Sequence, residues 1–184
     1  MALWVARQAV GYRRATVYRL ALATMPTAGA DTLEWRYTAS GARPRARLPG
    51  PDHGTFVGLA DGVECYWSTV QRTGFRIPDR IVVDFKNDSI AYVGDCITAP
   101  QYRGRGIYPR GLVRLGETLR QEGVTSLYLY VEDENFASRR SVVKVGFQPV
   151  LRATVWRLAR RSRRHWRPLQ AEVLRSELAV TLVS

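Results

Sequence analysis

Apolar and polar residues alternate along 63–71, where Val63, Cys65, Trp67 and Thr69 interleave with Glu64, Tyr66 and Ser68. A period of two predicts a strand. With the strand-like run 55–60 before it and Asp61-Gly62 between, the segment reads as a β-hairpin, because Asp-Gly suits a type I′ turn. Residues 12–23 alternate well enough for another strand, and 32–38 suggest one more. Gly41, Pro44, Pro49, Gly50 and Pro51 break any periodicity between 40 and 53, which predicts a loop. Runs 80–85 and 89–98 flank Lys86-Asn87-Asp88 and predict a further antiparallel pair. The period then changes: Leu112, Leu115 and Leu119 share one helical face over 107–122, with Gly123 placed to end the helix. Strand 126–131, a short helix over 137–145 and a last strand over 149–158 follow.

Antiparallel strands followed by strand–helix–strand–helix–strand predict an α/β (α+β) fold, a mixed and mostly antiparallel central sheet flanked by helices with one crossover. At 184 residues with 46% hydrophobic content, a single domain over 1–184 is expected. One internal echo stands out: residues 14–21 (RATVYRLA) against 152–159 (RATVWRLA). A single echo is not a repeat fold, and it reads as two edge strands of similar composition.

Charge changes this picture. The net charge is +12, and all but Lys86 and Lys144 of the 28 basic residues are arginine. Such a surface attracts anionic partners, whether a phosphate-bearing small molecule, an acidic protein or RNA. Much of the charge lies in a basic C-terminal extension, 160–184, where Arg160, Arg161, Arg163, Arg164 and Arg167 surround His165 and Trp166. The run reads mainly as a solvated segment, with nucleic-acid binding as the sharper alternative. Residues 171–183 read as a closing amphipathic helix or strand. No apolar run approaches a membrane span, and no signal peptide is read at the start. Cys65 and Cys96 read as buried free thiols of a cytoplasmic protein. His53 and His165 lack metal-ligand spacing, so no metal is expected.

The candidate chemistry starts at Gln101-Tyr102-Arg103-Gly104-Arg105-Gly106, between a predicted strand and a predicted helix. A glycine-rich turn there presents several N–H groups in one direction at the positive end of the helix dipole, which suits a pyrophosphate. Pro109 fits the first helical turn, where no donor is needed. A second element follows in Asn135-Phe136-Ala137-Ser138 and Lys144-Val145-Gly146-Phe147. With both motifs in order, the chain resembles the GCN5-related N-acetyltransferase (GNAT) superfamily over the core motifs at 89–150.

The resemblance implies a sheet that splays between its two central strands and admits the pantetheine arm of acetyl-CoA, or another acyl-CoA, as co-substrate. It implies direct attack by the amine of a small-molecule acceptor on the thioester, with Arg103, Gly104, Arg105, Gly106, Ile107 and Tyr108 at the pyrophosphate. It also implies the amides of Cys96, Ile97 and Thr98 at the pantetheine and carbonyl, and Asn135 and Ser138 at the arm or adenosine-side phosphates. Asp95 is the first candidate for the base, with Glu132 and Asp133 next. Family members often carry a tyrosine two residues before the lysine of the Lys-x-Gly-Phe element, where this chain has Val142. Tyr92, Tyr66, Tyr108 or water could replace it. The two helices that usually shape the acceptor pocket are reduced to at most a short one. These departures leave open a 4′-phosphopantetheine donor on an acidic carrier protein, an aminoacyl-tRNA donor, and a non-catalytic CoA- or nucleotide-binding module. The protein is expected to be a monomer or homodimer that does not bind membranes.

Overall fold

A computed structural model describes residues 10–39, 53–77, 81–158 and 161–182. The proline- and glycine-rich stretch read as a loop over 40–53 lies almost wholly outside them. The described chain forms eleven strands: β1 (Val10–Ala21), β2 (Glu34–Ala39), β3 (His53–Ala60), β4 (Val63–Gln71), β5 (Gly74–Ile77), β6 (Ile81–Phe85), β7 (Ile90–Thr98), β8 (Ser126–Glu132), β9 (Gln148–Leu158), β10 (Arg161–Pro168) and β11 (Leu178–Leu182). Three α-helices accompany them: α1 (Ile107–Gln121), α2 (Phe136–Val145) and α3 (Ala171–Glu177).

Eight strands make one sheet in the order β10-β9-β1-β8-β7-β4-β3-β2. All its pairings are antiparallel except β7 with β8, which α1 connects. The predicted hairpin is β3–β4, with Asp61 at φ 50° and Gly62 at φ 77°, both in the left-handed region that a type I′ turn requires. Alternation along β4 breaks at a bulge, however: the register with β3 shifts between Gly58 and Leu59, and Cys65 and Tyr66 are buried in the same cluster under α1.

On one face α1 presses Leu112, Leu115 and Leu119 against Tyr18, Leu20, Ala91, Val93, Leu127 and Leu129. On the other, Phe75, Ile77, Ile81 and Val83 of a small second sheet, ordered β11-β6-β5, pack with Leu174 and Leu178 against Val17, Tyr92, Tyr128 and Leu151. This corrects the predicted pairing of 80–85 with 89–98: β6 pairs with β5 and β11. β7 already has β4 and β8 at its two edges, so β6 is free to layer on the sheet instead of joining it.

The echo is also corrected. β1 and β9 lie inside the sheet and pair with each other, Arg14 opposite Thr154, Ala15 opposite Ala153 and Thr16 opposite Arg152. The same tripeptide faces its own copy across a local twofold, so the small Ala15 and Ala153 meet on the buried face. The basic run is not a loose segment but β10, the edge strand beside β9. Arginine on an edge strand discourages further strand addition. Between β1 and β2 the described chain has one 3₁₀ turn, Leu22–Thr24, where two helices are usual for the resemblance noted above. Among the described residues no helix is long and apolar enough to cross a membrane.

Candidate functional site

β7 and β8 run side by side only from Ile90 to Tyr92 and from Ser126 to Tyr128. Beyond that point each keeps its outer neighbour, β4 or β1, and the two strands part. A cleft of about 270 Å3 opens between them, lined by Gly94, Asp95, Cys96, Tyr108, Tyr130 and Glu132 among others. It passes through the sheet, since Tyr130 belongs to the packing on the small-sheet face and Tyr108 to that on the helical face.

The parting of β7 coincides with a bulge. Trp67 of β4 pairs with Ile97 and Thr69 with Gly94, so Asp95 and Cys96 together oppose Ser68. Asp95 takes up the extra residue at φ 47°, a conformation that aspartate tolerates better than most side chains. Ala99 donates its N–H to the Cys65 carbonyl at 2.9 Å. The alternation of an antiparallel ladder then turns Ile97 toward β4 and Thr98 toward the open side. The Thr98 carbonyl accepts from Arg103 Nε at 3.1 Å. Cys96 lies in the bulge, between Gly94 and Ile97, which pair with β4.

On the helical face, the chain turns through a 3₁₀ segment, Pro100–Tyr102, and then Gly104 and Gly106 at φ 77° and 68° into α1. A Cβ on either glycine would meet nothing within 4 Å, so open space lies over the turn. The positive φ is what demands glycine here. The N–H groups of Ile107 and Tyr108 begin the helix and have no partner within it. Arg105 lies over the Tyr102 ring at 5.4 Å, and Ile107 anchors the turn by burying its side chain. Asn135 caps α2 by accepting the Ser138 N–H at 3.1 Å. Ser138 in turn donates to the Tyr108 hydroxyl at 3.3 Å. Next to the turn, a second cavity of about 430 Å3 lies between α1 and the 26–31 segment, with Arg105, Arg110, Arg114 and Lys144 on its wall alongside Pro109 and Val113. The Arg110 charge there is partly answered by buried Asp31 at 2.8 Å.

On the small-sheet face the chemistry is acidic and aromatic. Asp95 accepts from Thr69 Oγ1 at 3.5 Å. Glu132 faces Arg13 only loosely, at 3.8 Å with both side chains exposed. Tyr92 stacks on Phe75 at 4.3 Å and Tyr130 lies 6.2 Å from Tyr92. Burial, and after it the nearby carboxylates, raises the Tyr130 hydroxyl above the usual phenol value. Asp133 is drawn elsewhere, holding Arg14 Nε at 3.1 Å and Thr16 Oγ1 at 2.9 Å.

The structure thus brings Asp95, Cys96, Tyr108, Glu132, Asn135 and Ser138 to one cleft, with the 103–106 turn at its helical side. Asp133 and Val142 do not contribute: the first is an ion-pair anchor, and the second is fully buried on the inner side of α2. Sequence reasoning missed Thr69 and Tyr130. Tyr130 was within reach, since it precedes Glu132 by two on a strand and so shares its face. Among the described residues no group of three or more His, Cys, Asp or Glu side chains could hold a metal ion.

The model of the acetyltransferase (GNAT) family matches residues 14–147. Among solved structures the chain is similar to a GCN5-related N-acetyltransferase from Kribbella flavida, with 14% identity, 81% of this chain and 60% of that one covered, and a TM-score of 0.52. Another from Sphaerobacter thermophilus gives 18% identity, coverages of 91% and 56%, and a TM-score of 0.51. A Drosophila protein gives 14% identity, coverages of 86% and 55%, and a TM-score of 0.55. Identities this low show a shared fold. The chain spans well under two thirds of the length of each of these three. None of the curated proteins matches it.

Proposed function

The chain belongs to the acetyltransferase (GNAT) family, and from that premise we propose that it transfers an acyl group from acyl-CoA to the amine of a small cationic acceptor. One observation carries the reading: the parted strands make a cleft through the sheet with opposite chemistry at its two mouths. The helical mouth offers unpaired amides, two glycines in the left-handed region and arginines, which suit a pyrophosphate. The neighbouring cavity, apolar on Pro109 and Val113 and cationic on Arg105, Arg110, Arg114 and Lys144, suits the nucleotide end of CoA. The pantetheine arm would run along β7, taking the place of the missing strand pairing and bonding the amides of Cys96 and Thr98. An amide in that bulge would polarise the thioester carbonyl.

At the opposite mouth Asp95 and Glu132 attract an ammonium, and Asp95 serves as the base that frees its lone pair. The neutral nitrogen attacks the carbonyl carbon, and the acyl group passes to it directly. The enzyme contributes chiefly by holding amine and thioester in line from the two sides of the sheet.

A donor borne on an acidic carrier protein is the second reading, favoured by one surface. Trp156 and Tyr12 pack with tilted rings, centroids 4.4 Å apart, and stay exposed on β9 and β1. The pairing of β10 puts Arg163 beside Trp156 and Arg167 beside Arg152. Calorimetric titration with acetyl-CoA and free CoA at moderate salt decides between the two. Micromolar binding is expected. Failure to bind either, with binding to an acylated carrier protein that fades as salt rises, would transfer the reading to the carrier.

A further inference from the structure

Aminolysis of a thioester ends with a sulfur that must receive a proton or leave as an anion. Val142, where the resemblance puts a hydroxyl, is 0% exposed and packed in the core, so no proton comes from there. Of the three tyrosines that could serve instead, two are misplaced. Tyr66 is buried behind Cys96 and does not line the cleft. Tyr92 lines it from the acceptor side, its ring stacked on Phe75.

The geometry points to Tyr108 as the proton donor to the leaving sulfur, an inference that rests on the acyl-CoA reading above. Tyr108 lies in the first turn of α1, two residues past Gly106, so its hydroxyl enters the cleft on the same face as the phosphate turn. Its ring packs on Tyr66 at 6.5 Å. Ser138 fixes the hydroxyl from α2, donating to it at 3.3 Å, so the phenolic proton faces Cys96 and the cleft. Ser138 precedes Val142 by one helical turn on the same side of α2. The hydroxyl lost from α2 therefore arrives one turn away, carried by α1.

The surroundings suit this task. Burial, and then the neighbouring Cys96, hold the Tyr108 phenol far above its ordinary value, so it stays protonated throughout the working range. Cys96 shows what the pocket does to sulfur: burial pushes its thiol up to about 12. The same burial disfavours a free thiolate on a leaving sulfur, which must take up its proton as it departs. As the C–S bond breaks, its electron pair goes to sulfur, and the Tyr108 proton follows to give the free thiol. The phenol is the weaker acid of the two, so no free phenolate forms: as the Tyr108 proton passes to sulfur, the Ser138 hydroxyl passes its own to the phenol oxygen and takes one from water, and the proton lost by the attacking nitrogen leaves through the acceptor mouth. The exchange balances.

The test compares wild type with Tyr108→Phe, which keeps the ring against Tyr66, and with Ser138→Ala, which frees the hydroxyl. Binding of acetyl-CoA, CoA and desulfo-CoA is measured by calorimetry, and the bound CoA thiol is titrated by its ultraviolet thiolate absorbance against the desulfo-CoA complex. Tyr108→Phe is expected to leave the desulfo-CoA Kd within about twofold. The same variant should raise the pKa of bound CoA thiol by about one unit, since the thiolate loses a charge-assisted hydrogen bond. Ser138→Ala should move it in the same direction by less. With an amine acceptor, kcat should fall about 100-fold with the acetyl-CoA KM held. An unchanged thiol pKa in Tyr108→Phe, with CoA bound normally, overturns the role of Tyr108 and leaves the donor reading intact. Wild-type protein that binds neither acetyl-CoA nor CoA overturns both.

Discussion

The two mouths of the cleft are built from different materials. On the helical side the proposed recognition groups are main-chain amides and glycines from one continuous segment, 103–108, held by the buried Ile107 side chain. On the other side they are side chains gathered from β4, β7, β8 and the small sheet: Thr69, Asp95, Tyr130, Glu132 and Phe75. A backbone site keeps its shape whatever side chains surround it, and so suits a co-substrate that never changes. A site of separate side chains can be retuned one residue at a time, which suits a variable acceptor. The two mouths should accordingly fail in different ways.

The largest expected effect is at the acceptor mouth. Asp95→Asn should lower turnover about 100- to 1,000-fold while the acetyl-CoA Kd stays within about twofold. Asparagine tolerates φ 47° as well as aspartate does, so the bulge survives and the loss reports the carboxylate. Glu132→Gln should act in the same direction more weakly. Initial rates with a fixed amine, beside calorimetry, check both; a donor Kd that worsens in step with the rate would show that the mouths are not separable.

The converse break is at Gly106. Gly106→Val forces a β-branched residue to φ 68° and puts methyl groups into the open space over the turn. Acetyl-CoA binding should weaken about 30- to 100-fold, corresponding to roughly 2–3 kcal/mol of strain and lost contact. The rate at saturating donor should fall far less. If Gly106→Val binds acetyl-CoA like wild type, the turn is structural and the phosphates lie elsewhere.

The same contrast decides what could be read in the sequence. The donor mouth is local chemistry: a strand, two glycines and a helix start lie within about twenty residues, and the α1 stripe of Leu112, Leu115 and Leu119 is equally explicit. The β3–β4 hairpin follows from Asp61-Gly62. Asp95 and Glu132 could be singled out from their strands, but their sharing of one face with Tyr130, Tyr92 and Phe75 depends on pairings across 55 residues of chain. The layer of β5, β6 and β11 was hidden for the same reason, since β6 meets β11 after almost a hundred intervening residues. β10 was hidden by its charge: an edge strand with arginine on its open side has the composition of a solvated tail.

What holds the two faces in place differs too, and this gives the smallest effect. The helical face is fixed by hydrocarbon. The small-sheet face is fixed partly by a charge cluster in which Arg19 makes a bidentate contact with Glu177 at the end of α3, at 2.6 and 2.9 Å. Tyr128 at the base of the cleft donates to the same carboxylate at 2.6 Å. Burial by itself would raise the Glu177 carboxyl, but hydrogen bonds from Arg19 and Tyr128 and the Arg19 charge outweigh it, and the net shift is downward. A lowered carboxylate lends stability above its unfolded value of about 4.3 and loses it as pH falls through the folded one. Glu177→Gln should therefore cost about 1–2 kcal/mol at neutral pH and show a shallower loss of stability on acidification than wild type. Urea midpoints from pH 7 down to about 3.5 measure both, and parallel acid limbs in the two proteins would place the sensitivity in another carboxylate. Because the cluster ties down the acceptor face alone, acetyl-CoA binding by Glu177→Gln should stay within about twofold of wild type at neutral pH, even where its stability has dropped.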